Sequence, residues 1–321
     1  MEARRMGIRT AVAAGVLVLL ASAAAFSFQD AVRGIKPDEF IKARPVRPGH
    51  KAGQRPSYKP VEGAANIAAK ASDLRQIGMT IWRLRPSRKT DSGARILVQE
   101  AATEIEWTPE RISTRTPLKI GDQLRFSFES AQNGYLYVID REKYADGTMG
   151  EPTLIFPTTR LRNGENAVTP GRLIEIPDQS DRPSYFTLRR SRPDQAGEEL
   201  VLLLTPQPLQ GISVTDKAQV LPEEELNKWE KQWRRPAQEL ELAGGAGRTW
   251  TRAEQQAGSD QTRLLTQDDP SPQTVYRVAS GPEDPIVLHV NLRYNNGRNT
   301  GTTKASRRVA TQAITPLPSD H

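Results

Sequence analysis

Three histidines, no cysteine and 38 acidic residues bound the chemistry open to this 321-residue chain. His50 sits in a proline-rich stretch and His321 is the last residue. His289 alternates with Ile286, Leu288, Val290 and Leu292 and so falls on the opposite face of a strand. No two of them have the local spacing of zinc ligands, and the absence of thiolates removes the usual structural zinc sites. It also removes thiol nucleophiles. A Ser-His-Asp arrangement would have to use His289, and no nucleophile elbow surrounds it. The run from Asp140 to Gly147 tempts as a calcium loop, but Arg141 and Lys143 interrupt it and the alternate-position ligands of an EF-hand are missing. It reads as a hairpin loop with Asp146-Gly147 at its turn. Paired carboxylates for glycoside hydrolysis meet only in space, and nothing in the sequence selects two acids among 38. The expectation is therefore no catalytic residue, no cofactor and no metal site.

The aromatic residues point instead to contact. Trp229 and Trp233 lie four apart, the spacing of one helix face, so they either pin a helix to a sheet or offer a docking surface. Tyr135 and Tyr137 alternate with Leu136 and Val138, which puts the two tyrosines on one face of a strand. These four are the candidate interaction residues.

The elements that must hold them are mostly strands. Leu124, Phe126 and Phe128 alternate with Arg125, Ser127 and Glu129, a half-buried pattern. The turn Gln132-Asn133-Gly134 then leads into 135–139, a hairpin signal. Short runs follow at 153–156, 172–176, 185–188 and 200–204, punctuated by Gly and Pro. The unbroken Leu200-Val201-Leu202-Leu203-Leu204 implies a strand covered on both faces. Pro222, three glutamates and the stripe Leu226, Trp229, Trp233 predict a helix that Pro236 stops. Thr251 and Glu254 have capping-box spacing for a second helix. A closing strand spans 286–292. The fold class expected is mainly β: an antiparallel β-sandwich or open barrel with a helical insertion near residues 222–258.

Around this domain, expected over 74–292, the composition changes. Arg4, Arg5 and Arg9 precede an uncharged run from Thr10 to Gln29 that passes from Val16–Leu20 into small residues. That order is a secretory signal peptide, placed at 1–29 and cut after Ala23, Ala25 or a few residues later. The rival reading, a retained membrane anchor, suits the length but not the weakly apolar composition. No second apolar run of membrane length follows, so no span is expected in the mature chain. Residues 30–73, rich in Pro, Lys and Arg, read as a disordered linker, and 293–321 as a disordered basic tail. The net charge of +7 sits on these ends. Residues 31–62 carry eight Lys/Arg against three Asp/Glu, while 63–292 carry 29 against 32. The ends would give at most weak electrostatic contact with anionic surfaces, and no specific nucleic-acid binding.

The motifs Gly121-Asp122-Gln123-Leu124-Arg125-Phe126, Asn133 to Asp140, Leu154-Ile155-Phe156-Pro157, Pro170-Gly171, Ile176-Pro177 and Gly197-Glu198-Glu199-Leu200 occur in an order and spacing that resemble the bacterial domain of unknown function 4384 family. The similar core covers 121–209, and 210–292 would add the helical segment and closing strand. The resemblance implies a β-rich accessory module, often joined to peptidase-like or kinase-like domains or carried by envelope proteins, and transfers no catalytic residue. Together these readings set the functional expectation: an exported, periplasmic or secreted, non-enzymatic binding or scaffolding domain whose partner is another envelope protein or an envelope polymer. The alternative is a carboxylate-dependent hydrolase acting on such a polymer.

Overall fold

The computed structural model describes residues 38–49, 56–67, 73–91, 93–100, 103–259 and 263–295. The expected signal peptide, His50, His321 and the tail beyond 295 lie outside them. In chain order the elements are α1 (Asp38–Lys42), β1 (Tyr58–Pro60), β2 (Leu74–Pro86), β3 (Ile96–Glu100), β4 (Thr103–Ile112), β5 (Gln123–Ser130), β6 (Gly134–Tyr144), β7 (Thr153–Phe156), β8 (Ala167–Val168), β9 (Ile174–Ile176), β10 (Phe186–Thr187), β11 (Gln195–Thr205), β12 (Gln219–Val220), α2 (Glu223–Trp233), β13 (Ala237–Leu242), α3 (Arg252–Ser259), β14 (Thr274–Ala279) and β15 (Ile286–Arg293).

The strands form two antiparallel sheets and no closed barrel. The first runs β1-β13-β14-β2-β4-β3, with β5 on the other side of β2 and β9 and β10 beyond β5. The second runs β12-β7-β6-β11-β15, with β8 beside β6. Their facing sides share one core. Ile77, Met79, Ile81, Phe126 and Phe128 from the first sheet pack with Leu136, Val138, Leu200, Leu202, Leu288 and Val290 from the second. The alternation in β5, β6 and β15 thus points where the sequence places it.

β5 and β6 do not pair, however, so the expected hairpin is not formed. Residues 131–133 carry the chain from one sheet to the other. Phe126 and Val138 enter the shared core from different sheets rather than side by side. Periodicity identifies a buried face, and it is silent on which strand is the neighbour. The run at 140–150 does fold back as a hairpin: Tyr144 donates to the Thr148 carbonyl at 3.0 Å, with Gly147 at φ +89 in the turn.

Both outer faces are covered. On the second sheet Tyr137, Ile139, Val201, Leu203 and Val287 lie under Leu226 and Trp229 of α2, so 200–204 is buried on both faces as expected. The outer face of the first sheet holds the polar residues of β5, and these are buried too: Arg125, Ser127 and Glu129 are at most 4% exposed. Their cover comes from α3, the 263–272 segment and residues 38–45. The Arg44 guanidinium grips Glu129 with two 2.6 Å bonds and donates to the Thr266, Asp269 and Pro270 carbonyls. Arg111 pairs with Glu254 and lies over Trp82, while Arg125 pairs with Glu175 at 2.8 Å and lies over Trp250. Burial still pushes the Glu175 carboxyl up to about 7.

This cover corrects the expected linker over 30–73. In its described parts Phe40 and Tyr58 are fully buried and β1 pairs with β13. A proline-rich, basic stretch reads as solvated because its partners, Glu129 and three carbonyls, are more than eighty residues away in sequence. Arg44→Met would leave Glu129 buried and uncompensated, which costs about 3–5 kcal/mol in equilibrium unfolding. A chain starting at residue 74 should likewise unfold at lower urea than one starting at residue 34. Equal midpoints would contradict the cover.

Candidate binding groove along the edge of the second sheet

The four aromatic candidates come together in one packed cluster between α2 and the second sheet. Trp229 is 4% exposed beneath α2, and Trp233 stacks on it with ring centroids 6.1 Å apart. They pin the helix to the sheet. Tyr135 and Tyr137 lie on the same outer face, and the Tyr137 hydroxyl accepts the Leu209 amide at 2.9 Å. α2 forms where expected because Pro222 precedes it and Glu223, Glu224 and Glu225 occupy its first turn. His289 also serves this docking. Its Nδ1 lies 3.2 Å from Glu199 and its Nε2 3.4 Å from Glu230 of α2. The hydrogen bond from His289 holds Glu199 below the usual carboxylate range.

The open feature is the far edge of β15. The Leu118 amide donates to the Arg293 carbonyl at 2.8 Å and the Asn295 amide to the Leu118 carbonyl at 2.6 Å, whereas the Tyr294 amide turns inward to Ala196. Backbone groups alternate sides along a strand, so residues 287, 289, 291 and 293 aim away from β11. Arg234 bridges Val287 at one end and Leu118 docks at the other, both running parallel to β15. Between them the N–H and C=O of His289 and Asn291 have no backbone partner among the described residues. The remaining sheet borders are short: β12 and β10 have two residues each, β1 and β9 three, and β3 five.

Beside this edge lies a groove of about 560 Å³, bounded by residues 61–64, by Thr114 and Arg115, and by the inner face of β13 and β14 at Glu239 and Tyr276. A smaller one of about 370 Å³ continues it past Arg234 and Arg235. Glu239 accepts from the Thr114 hydroxyl at 2.8 Å, and burial raises its carboxyl toward the neutral form. Arg115, Arg234, Arg235 and Arg293 are exposed and form no ion pair among the described residues. The groove is basic at both ends and has a bare strand edge along one wall. None of these arginines stands out in sequence. The polar positions His289, Asn291 and Arg293 in the last strand were the available signal, since a border strand keeps such residues outward.

Two carboxyls do meet elsewhere. Asp140 and Glu198 sit on neighbouring strands, β6 and β11, at the end of the core, where the Tyr294 hydroxyl and Gln195 amide donate to Glu198. Burial pushes Asp140 up to about 6, and burial first and the charge of Asp140 next push Glu198 up to about 8. They do not line the groove. No cluster of three or more His, Cys, Asp or Glu suited to a metal occurs among the described residues.

The fold is thus a two-sheet antiparallel sandwich module with capped outer faces and one open flank. Residues 117–208 match the family Domain of unknown function (DUF4384), and this stretch is a domain of that family. It supplies β5 to β11, whereas every wall of the groove lies outside it. No curated protein and no solved structure matches the chain.

The Asp140–Glu198 pair sets a pH dependence. Both folded-state values lie above those of free carboxylates, so the native chain keeps protons that the unfolded chain releases. Stability contributed by the protonated pair is present below about pH 4 and falls as pH rises through 6 to 8. Urea midpoints should decline across that window, and Glu198→Gln should flatten the decline. An unchanged slope in that variant would contradict the assignment.

Proposed function

We propose that this chain is an exported, non-catalytic binding or scaffolding domain of the bacterial cell envelope. The observation that carries the reading is the groove: among the described residues the backbone groups of His289 and Asn291 have no partner between the Arg234 bridge and Leu118, and the four arginines around them form no ion pair. A globular domain ordinarily protects such a border, and its exposure marks a contact surface. The partner is another envelope protein or an envelope polymer, and the basic ends add weak, salt-sensitive attraction to anionic surfaces. Arg44, spent on Glu129, takes no part in that.

The second reading, a carboxylate-dependent hydrolase acting on an envelope polymer, draws its support from the Asp140–Glu198 pair, since two carboxyls sharing a proton serve acid–base catalysis elsewhere. Against it, Glu198 is held by the Tyr294 hydroxyl and the Gln195 amide, and neither carboxyl lines the groove.

The test has two arms on protein recovered from its native compartment. N-terminal sequencing should begin between Ala24 and about Ala31. A photo-crosslinking residue at Asn291 should capture a discrete envelope partner that the same residue at Lys228, on the exposed face of α2, does not. A start at Met1, or no groove-specific adduct, would overturn the reading.

A further inference from the structure

We propose that the β15 border receives an extended acidic polypeptide, which adds to the second sheet as a sixth main strand beside β15. This rests on the reading of the groove as a binding site and names its occupant. The first argument is backbone chemistry. His289 and Asn291 present two donors and two acceptors outward, spaced as a strand ladder requires, and only another polypeptide in extended form matches all four. The second is geometry. The first sheet continues through β14, whose Tyr276 closes the shared core, to β13 and β1 on this flank, while the second stops at β15, so β13 at Glu239 has no strand of the second sheet beyond β15 to cover it. The groove occupies that vacancy. Between the positions taken by Arg234 beside Val287 and by Leu118 beside Arg293, residues 288–292 leave about 17 Å at roughly 3.4 Å per residue, enough for a single short strand.

The third argument is charge. Arg115 and Arg293 stand at one end and Arg234 and Arg235 at the other. The acids nearest the groove do not neutralise them: Glu239 is drawn toward its neutral form and held by Thr114, and Glu230 faces His289. Glu62 lends Arg115 only its backbone carbonyl. Guanidinium groups with no ion-pair partner favour carboxylates on the incoming strand. A polyanion without amides, such as a phosphate polymer, would satisfy the arginines and leave the border unpaired.

The experiment uses the full mature chain and a fluorescent, acetylated five-residue peptide alternating glutamate and valine. Anisotropy should show binding that weakens with added salt and is at least tenfold tighter than for the lysine–valine counterpart. N-methylating the probe at alternate residues, in the register facing the border, should abolish it, with no change to the protein. Asn291→Pro removes one outward N–H and leaves the ladder to β11 intact, as proline does on strand borders, and should weaken binding tenfold or more. Arg115→Glu combined with Arg293→Glu should do the same. Equal binding of the N-methylated probe, or full displacement by inorganic polyphosphate at matched charge without loss on Asn291→Pro, would overturn the proposal. A groove-specific crosslink that no acidic peptide displaces would retire this inference and leave the binding function standing. Absence of any groove crosslink would retire the binding function itself.

Discussion

Both sheets of this sandwich are covered on both faces, and that constraint organises everything else in the molecule. A central strand buried above and below has no exposed backbone, so unmet hydrogen bonds are forced to the borders. β11 illustrates it: Leu200, Leu202 and Leu204 face the shared core while Val201 and Leu203 lie under α2. The second sheet can afford no other open place than its end. There β15 is eight residues long, while the remaining borders have two to five.

Covering the first sheet required a different solution. Its outer face carries charges rather than aliphatic side chains, and a strap of distant segments neutralises them in pairs. Arg44 with Glu129, Arg111 with Glu254 and Arg125 with Glu175 each join a strand to the covering layer or to a neighbouring strand. Buried ion pairs of this kind add little net stability over apolar packing, but losing one partner is expensive. They therefore fix which segment lies where. Residues 38–45 are held in register by one guanidinium making five hydrogen bonds. Gly258 belongs to the same design: a Cβ there would fall about 2 Å from the Glu175 carboxylate.

Local signals in the sequence were reliable where the physics is local. The capping box of Thr251 and Glu254 forms reciprocally, at 3.0 and 3.2 Å, and α2 starts behind Pro222. Alternation in β15 correctly separates Ile286, Leu288, Val290 and Leu292 from His289. Long-range pairing was not legible. Nothing in Gln132-Asn133-Gly134 says that the chain crosses between sheets instead of folding back, and nothing near Arg44 announces Glu129. The groove was equally hidden, because its walls come from residues near 61, 115, 239 and 291, and each is unremarkable in its own neighbourhood. The family match covers β5 to β11 and so describes the scaffold, while the groove is built from elements outside the matched stretch.

The binding account rests on β15 having a bare outer border in the free protein. Residue-resolved amide hydrogen exchange on the unliganded chain addresses this directly. Leu288, Val290 and Leu292, whose amides turn toward β11, should exchange only with global opening. His289 and Asn291, between them in sequence, should exchange faster by orders of magnitude. Uniform slow exchange from 287 through 293 would mean that another segment already pairs with the border, and the groove would then be closed to any partner.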